Sequence, residues 1–157
     1  PLYSSAASDV YKRQQYFHPY AAYQPSTPLY PFGHGLSYTT YKYEDLKLTE
    51  TEISKDGSVG VSLKVTNTGD RDGVEIVQLY IRDTYSCVTR PVKELKDFAR
   101  IALKAGESKV VNFIITPDKL AFYDKKMKWG VEPGEFIVMA GPSSADEVLL
   151  KETFTVK

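Results

Sequence analysis

The run Val59-Gly60-Val61-Ser62-Leu63-Lys64-Val65 alternates between apolar residues and small or polar ones. Successive side chains of a β-strand point to opposite faces, so this alternation buries one face of an extended strand. Asp56-Gly57 before the run and Asn67–Asp70 after it have compositions typical of turns. The run is therefore predicted to be a half-buried strand bounded by turns.

Strand patterns of the same kind recur on both sides of this run at short intervals. They are predicted at Tyr41–Thr49, Val74–Arg82, Phe98–Leu103, Lys109–Ile115, Trp129–Val131, Phe136–Ala140 and Val148–Val156. A capping residue followed by proline at Thr116-Pro117 predicts one helical turn over Asp118–Phe122. Seven or eight short antiparallel strands predict an all-β fold, an immunoglobulin-like antiparallel β-sandwich.

Some of these elements carry finer predictions. Val74–Arg82 has apolar residues on both faces, so we expect a central strand with its outer face covered. Lys104–Glu107 is predicted to join the strands on either side of it as a hairpin. One face of the last strand is predicted to comprise Val148, Leu150, Phe154 and Val156.

The segment Pro28–Tyr41 precedes the first full strand and has the composition of a hinge. Gly33 and Gly35 allow positive φ on either side of His34, so the chain can turn there. Leu36–Tyr41 is rich in β-branched and aromatic residues and is predicted to be extended strand structure.

Three regions are predicted from these patterns. Asp9–Gln14 resembles the translated end of a sequencing adapter, so residues 1–14 are expected to be non-native rather than an ordinary polar segment from an upstream domain. Residues 15–37 are expected to form an aromatic strap and hinge that lies on another domain, because exposed aromatics at this density would be a liability. Residues 38–157 are predicted to be the sandwich itself.

Composition excludes several classes of partner. The 20 basic and 20 acidic residues balance, so no net field attracts the chain to nucleic acid or an anionic membrane surface. No apolar run is long enough to cross a bilayer. The single cysteine, Cys87, cannot form an internal disulfide, and cytoplasmic, periplasmic and secreted locations all stay open.

The sequence contains no recognisable catalytic, cofactor-binding or metal-binding motif. Acid–base hydrolysis by a pair of carboxylates needs the two groups across a cleft, which a sandwich without insertions does not offer. His18, His34 and Cys87 lack metal-ligand spacing. The long loop predicted over Thr84–Asp97 has apolar residues between its charges, which favours a docking loop over a merely solvated one.

Five ordered motifs resemble one known family. They are Pro28–Thr39, Val65–Gly69 with Gln78-Leu79-Tyr80, Thr89–Lys96 with Phe98, Leu120–Asp124, and Glu132–Phe136. They are similar to the C-terminal fibronectin type III-like domain of family 3 glycoside hydrolases, the β-glucosidases, β-xylosidases and their relatives. Asp97 stands where the family commonly has glycine.

The resemblance implies a function without local catalysis. The family's catalytic Asp lies in an N-terminal barrel and its acid/base Glu in a middle α/β domain, so no catalytic residue is carried over to this chain. We therefore expect a non-catalytic C-terminal domain that braces the catalytic domains of its parent protein. A β-linked sugar substrate is expected to bind only to those catalytic domains. No cofactor is expected. The docking candidates are Tyr30, Phe32, His34, Arg90, Pro91 and Lys93.

The alternative is a free-standing carbohydrate-binding or adhesion module. Such a module should present an aromatic platform or facing polar groups on one exposed surface. The aromatic residues that the sequence predicts to be exposed cluster instead in the strap.

Overall fold

The alternating run is the middle strand of a three-stranded antiparallel sheet in the computed structural model, which describes residues 28–157. Its strands are β1 at Tyr41–Leu48, β3 at Val59–Asn67 and β6 at Ser108–Ile115, in the order β1-β3-β6. Val59, Val61, Leu63 and Val65 are buried, as predicted. The residues that alternate with them are half-buried on the outer face.

A second sheet of five strands packs over this inner face. Its strands are β2 (Glu52–Ile53), β4 (Gly73–Asp83), β5 (Glu94–Leu103), β9 (Gly134–Gly141) and β10 (Leu150–Val156). They lie in the order β2-β10-β9-β4-β5, antiparallel except for the short parallel pair of β2 with β10. The core between the sheets includes the stacked rings of Phe136 and Phe154, whose centroids are 5.5 Å apart. The predicted β-sandwich is confirmed.

Strand β4 is buried on both faces from Val77 to Ile81, which confirms that its two-sided apolar pattern marks a covered central strand. Val77, Leu79 and Ile81 face the main core. On the other side, Tyr80 packs in a second cluster with Met139 and Leu149. The five-stranded sheet therefore has a second apolar layer, smaller than the core.

Short elements complete the fold. Helix α1 spans Pro117–Leu120, so it ends before the predicted Phe122, which lies in a strand instead. Pro117 is in its first turn as predicted, although the Thr116 side chain makes no capping hydrogen bond. Strands β7 (Phe122–Tyr123) and β8 (Trp129–Gly130) form a separate two-stranded ribbon. A 3₁₀ helix covers Asp146–Val148. Within residues 28–157, no helix is long and apolar enough to cross a membrane.

The structure corrects the predicted hairpin at Lys104–Glu107. The turn exists, but β5 pairs with β4 in one sheet and β6 pairs with β3 in the other. The turn is fixed against Asn67, whose N–H donates to the Glu107 carbonyl at 2.9 Å and whose carbonyl accepts the Gly106 N–H at 3.1 Å. The chain therefore crosses between the sheets here.

The boundaries of the first strand and of the loop before β5 also differ from prediction. The extended strand predicted over Leu36–Tyr41 begins only at Tyr41, and the side chains of Leu36 and Tyr38 are 95% exposed. Without a partner strand, the β propensity of these residues does not produce pairing. The loop predicted over Thr84–Asp97 ends at residue 93, because Glu94 already pairs with Ile81.

The last strand and the hinge glycines differ from prediction as well. Val148 lies in the 3₁₀ helix and is exposed, so it does not share the buried face of Phe154 and Val156. Gly33 has a φ of 77°, as the hinge prediction allows, whereas Gly35 has no positive φ. The predictions for residues 1–27, which include the adapter resemblance, His18 and most of the strap, lie outside the described residues.

Candidate docking surface

The loop between β4 and β5, residues 84–93, is held by Arg90. Its guanidinium donates to Asp83 Oδ2 at 3.1 Å and to Glu94 Oε1 at 2.8 Å, and it also reaches the Leu120 carbonyl at 3.4 Å. Its central carbon lies 4.6 Å from the centroid of the Phe122 ring, a cation–π contact. The Arg90 side chain is only 11% exposed, so its charge is used inside the domain.

Glu94 lies between two cations at the start of β5. Its second carboxylate oxygen accepts from Lys96 Nζ at 2.6 Å. Partial burial raises the pKa of Glu94, but the hydrogen bonds from Lys96 and Arg90 outweigh that effect, and the net pKa is below its ordinary value. Glu94 is therefore a carboxylate that completes the anchoring of the loop.

Ser144 brings together two residues that are far apart in the sequence. Its N–H donates to the Phe32 carbonyl at 2.9 Å, and its carbonyl accepts from Lys93 Nζ at 2.8 Å. Lys93 also pairs with Asp146 at 3.1 Å. Hydrogen bonds from Lys151 and Lys93 hold the pKa of the Asp146 carboxyl below its usual range. Phe32 and Lys93 thus border one depression, which Tyr80, Leu95 and Ser144 complete.

The turn at Gly33 is fixed by a buried amide. Gln78 Nε2 donates to the Gly33 carbonyl at 3.1 Å and to the Pro142 carbonyl at 2.6 Å, while Gln78 Oε1 accepts from the Tyr80 hydroxyl. A side chain at Gly33 would collide with Gln78, and the positive φ there also favours glycine. The backbone at Gly33 is thereby attached to the outer face of the five-stranded sheet.

Apolar side chains are exposed beside these anchors. Val92 on the loop and Phe98 on β5 are well exposed, and Leu95 is partly so. Strand β5 is at the edge of its sheet, so it combines exposed apolar groups with an unpaired strand edge among the described residues. We call the following residues the docking surface: Phe32, Pro91, Val92, Lys93 and Leu95.

The six candidates from the sequence have different positions. Phe32 and Lys93 share the depression, and Pro91 is exposed on the loop. Arg90, in contrast, points inward and is nearly buried. Two more candidates, Tyr30 and His34, are exposed. The structure therefore brings only part of the predicted set together.

Sequence reasoning missed two residues that organise this surface. Ser144 contributes through its backbone, so its side-chain type carries no signal. Gln78 was detectable in principle, because a glutamine inside an apolar strand indicates a buried amide that must form hydrogen bonds.

The cysteine does not have the character of a nucleophile. The N–H of Cys87 donates to Glu132 Oε2 at 3.1 Å. A second hydrogen bond, between the Cys87 thiol and the Glu132 carboxylate, raises the pKa of the thiol, which disfavours the reactive thiolate. Among residues 28–157, no three His, Cys, Asp or Glu side chains are grouped as metal ligands would be.

Comparison with known proteins identifies the domain type. A model of the fibronectin type III-like domain matches residues 75–144. A periplasmic β-glucosidase of Salmonella typhimurium is 48% identical over 118 residues, which is 75% of this chain and 15% of that protein. A β-xylosidase of Formosa agariphila is 47% identical over 135 residues, which is 86% of this chain and 19% of that protein.

Solved structures agree with these sequence matches. A β-glucosidase from Erythrobacter marinus superposes with a TM-score of 0.80 at 43% identity, covering 86% of this chain and 18% of that one. The β-glucosidase from Listeria innocua, solved in complex with glucose, gives 0.79 at 36% identity over 85% of this chain and 18% of that one. This chain spans less than a fifth of the length of these relatives. It belongs to the C-terminal fibronectin type III-like domains of family 3 glycoside hydrolases.

Proposed function

We propose that this chain is the non-catalytic C-terminal domain of a β-glucosidase or β-xylosidase and that it braces the catalytic domains of that enzyme. The observation that carries the proposal is the match of most of this chain to only 15–19% of the length of the curated relatives. In such an arrangement, hydrolysis of the O-glycosyl bond belongs to the parent protein, and this domain supplies a rigid surface.

The docking surface has the properties that bracing requires. Arg90 and Glu94 hold the base of the loop, and Ser144 ties Lys93 to Phe32. A surface that is already ordered loses little conformational entropy on association. The exposed apolar side chains of Val92 and Leu95 supply the area that would be buried against a neighbouring domain.

A domain graft into the Listeria innocua β-glucosidase tests this role. We would replace the matching region of that enzyme with residues 28–157 and compare thermal inactivation of the graft with that of an enzyme lacking the region. The graft is expected to restore stability that the deletion removes. The isolated 157-residue chain is expected to have no activity on aryl β-glucosides or β-xylosides, because it supplies no carboxylate pair across a cleft.

A matched pair of substitutions locates the interface. Val92 is 66% exposed on the docking surface, and Val110 is 64% exposed on β6 of the other sheet. Val92→Asp is expected to lower the inactivation temperature of the graft by several degrees and to leave the isolated chain unchanged. Val110→Asp is expected to change neither. An unaffected graft carrying Val92→Asp, or an equal effect of Val110→Asp, would contradict bracing through this surface.

A further inference from the structure

The β7–β8 ribbon presents two aromatic rings on an exposed surface. Tyr123 and Trp129 are directly paired across the ribbon, with ring centroids 4.9 Å apart and planes inclined at 58°. They are 56% and 55% exposed, respectively. An exposed aromatic pair of this kind offers an apolar surface on which a ligand ring can stack.

The turn of the ribbon is held by several hydrogen bonds, so the backbone that carries the two rings is ordered. Asp124 Oδ1 accepts the N–H groups of Lys126 and Lys128 at 2.7 and 2.9 Å. The Asp124 N–H donates to the Lys128 carbonyl at 3.0 Å, and the Met127 N–H donates to the Asp124 carbonyl at 3.0 Å. An ordered backbone reduces the conformational entropy that the protein loses when a ligand binds.

Trp129 also lines a groove that has polar groups around it. The groove is bordered by the ribbon, α1 and the turn after β2, and its lining residues are Lys55, Asp56, Pro117, Asp118, Ala121, Trp129, Gly130 and Val131. Lys55, Asp56 and Asp118 are exposed. None of these three side chains forms a hydrogen bond or ion pair with another described residue, so all three are available to a ligand.

We propose that this groove binds a neutral saccharide chain. A pyranose ring has an apolar C–H face that can stack on Trp129 and a rim of hydroxyls that both donate and accept hydrogen bonds. Asp56 and Asp118 would accept from hydroxyls, and Lys55 would donate to them. Among the residues that line the groove, two carboxylates stand against one ammonium, which favours a neutral ligand over phosphate.

The intrinsic fluorescence of the chain tests this site directly, because Trp129 is its only tryptophan. The full 157-residue chain would be titrated with cellohexaose, xylohexaose and maltohexaose to millimolar concentrations. The choice of the β-linked probes, cellohexaose and xylohexaose, rests on the proposed function. The choice of the α-linked probe, maltohexaose, does not. A saturable change in Trp129 emission with at least one of these is expected, and no response to any of them overturns the proposal.

Substitutions separate stacking from nonspecific binding, with calorimetry as the common readout. Trp129→Ala and Asp118→Asn are each expected to weaken binding by about tenfold or more. Phe98→Ala, which removes an exposed ring on β5, is expected to bind as the parent chain does. If the Trp129→Ala variant does not fold, the Asp118→Asn variant, which keeps the tryptophan, still tests whether the groove binds the saccharide. Binding that survives both groove substitutions, or that Phe98→Ala weakens equally, overturns the proposal whatever the result of the domain graft.

Discussion

The two sheets of the sandwich share one core but have different outer faces. The three-stranded sheet exposes Val110 and Ile114 of β6 on its outer side. The five-stranded sheet instead buries Gln78 and Tyr80 of β4 beneath the backbone at Gly33 and the segment around Ser144. We therefore call the five-stranded sheet the covered sheet and the three-stranded sheet the open sheet, because the chain itself covers part of the outer face of the former.

The largest loss of stability is expected from a substitution on the covered outer face of the five-stranded sheet. Tyr80→Ala should lower the free energy of unfolding by about 3–5 kcal/mol, because it opens a cavity in the second cluster and leaves Gln78 Oε1 without its donor. Ile114→Ala on the open sheet should cost about 0.5 kcal/mol or less. Urea denaturation of both variants measures the contrast. Similar losses would show that the two outer faces are energetically alike.

A second prediction compares ion pairs on the two sheets. Arg90→Ala should cost about 3 kcal/mol, since the Asp83 side chain is only 2% exposed and would lose its cation. Lys42→Ala removes the cation from the exposed Lys42–Glu44 pair of β1 and should have a much smaller effect, because solvent screens that pair. Thermal or urea unfolding of the two variants checks this order. A loss for Lys42→Ala that equals that for Arg90→Ala would contradict the role given to burial.

A third prediction concerns the segment that covers the five-stranded sheet. Gly33→Ala should cost about 1–3 kcal/mol, because Gly33 has positive φ and a side chain there meets Gln78. Gly35→Ala is the matched control, since no atom lies within 4 Å of its added carbon and its φ is not positive. That control should be neutral or slightly stabilising. Equal costs at the two glycines would mean that the segment is not fixed by Gln78.

Local patterns predicted the inner faces of the strands well. The alternation in Val59–Val65 and the two-sided pattern of β4 are direct consequences of burial, and both are confirmed. The hairpin at Lys104–Glu107 was wrong because turn chemistry is local, whereas the choice of sheet depends on distant partners such as Asn67. Sequence indicates that the chain reverses, but it does not indicate which strand it then pairs with.

The candidate site was predictable only in part for the same reason. The charges of Arg90 and Lys93 are visible in the sequence, but the inward orientation of Arg90 depends on Asp83, Leu120 and Phe122, which lie in separate elements. The exposed aromatic pair of the β7–β8 ribbon was not predicted, because it arises from a two-residue strand pairing. Short pairings of this kind have little periodicity to detect.

The smallest expected effect is a difference between Glu94 and Glu44 in how their contributions to the free energy of unfolding depend on pH. The pKa of each carboxyl is lowered. Burial opposes the shift at Glu94, where Lys96 and Arg90 outweigh it, and the hydrogen bond from Lys42 is the main cause at Glu44. A carboxyl with a lowered pKa in the folded state stabilises fully above its ordinary value of 4.5, and the contribution is lost as the pH falls through the folded value.

Glu94→Gln should therefore reduce the free energy of unfolding at pH 7 by less than about 1 kcal/mol, and the difference from the parent chain should shrink below pH 4.5. Glu44→Gln should show a smaller difference that about 0.5 M salt removes, because the pair on β1 is open to screening. Urea unfolding across this pH range, with and without salt, measures both. If the difference between Glu94→Gln and the parent chain instead grows toward acid pH, burial rather than the two cations dominates the pKa of Glu94. The loop between β4 and β5 would then be held without a contribution from the Glu94 carboxylate.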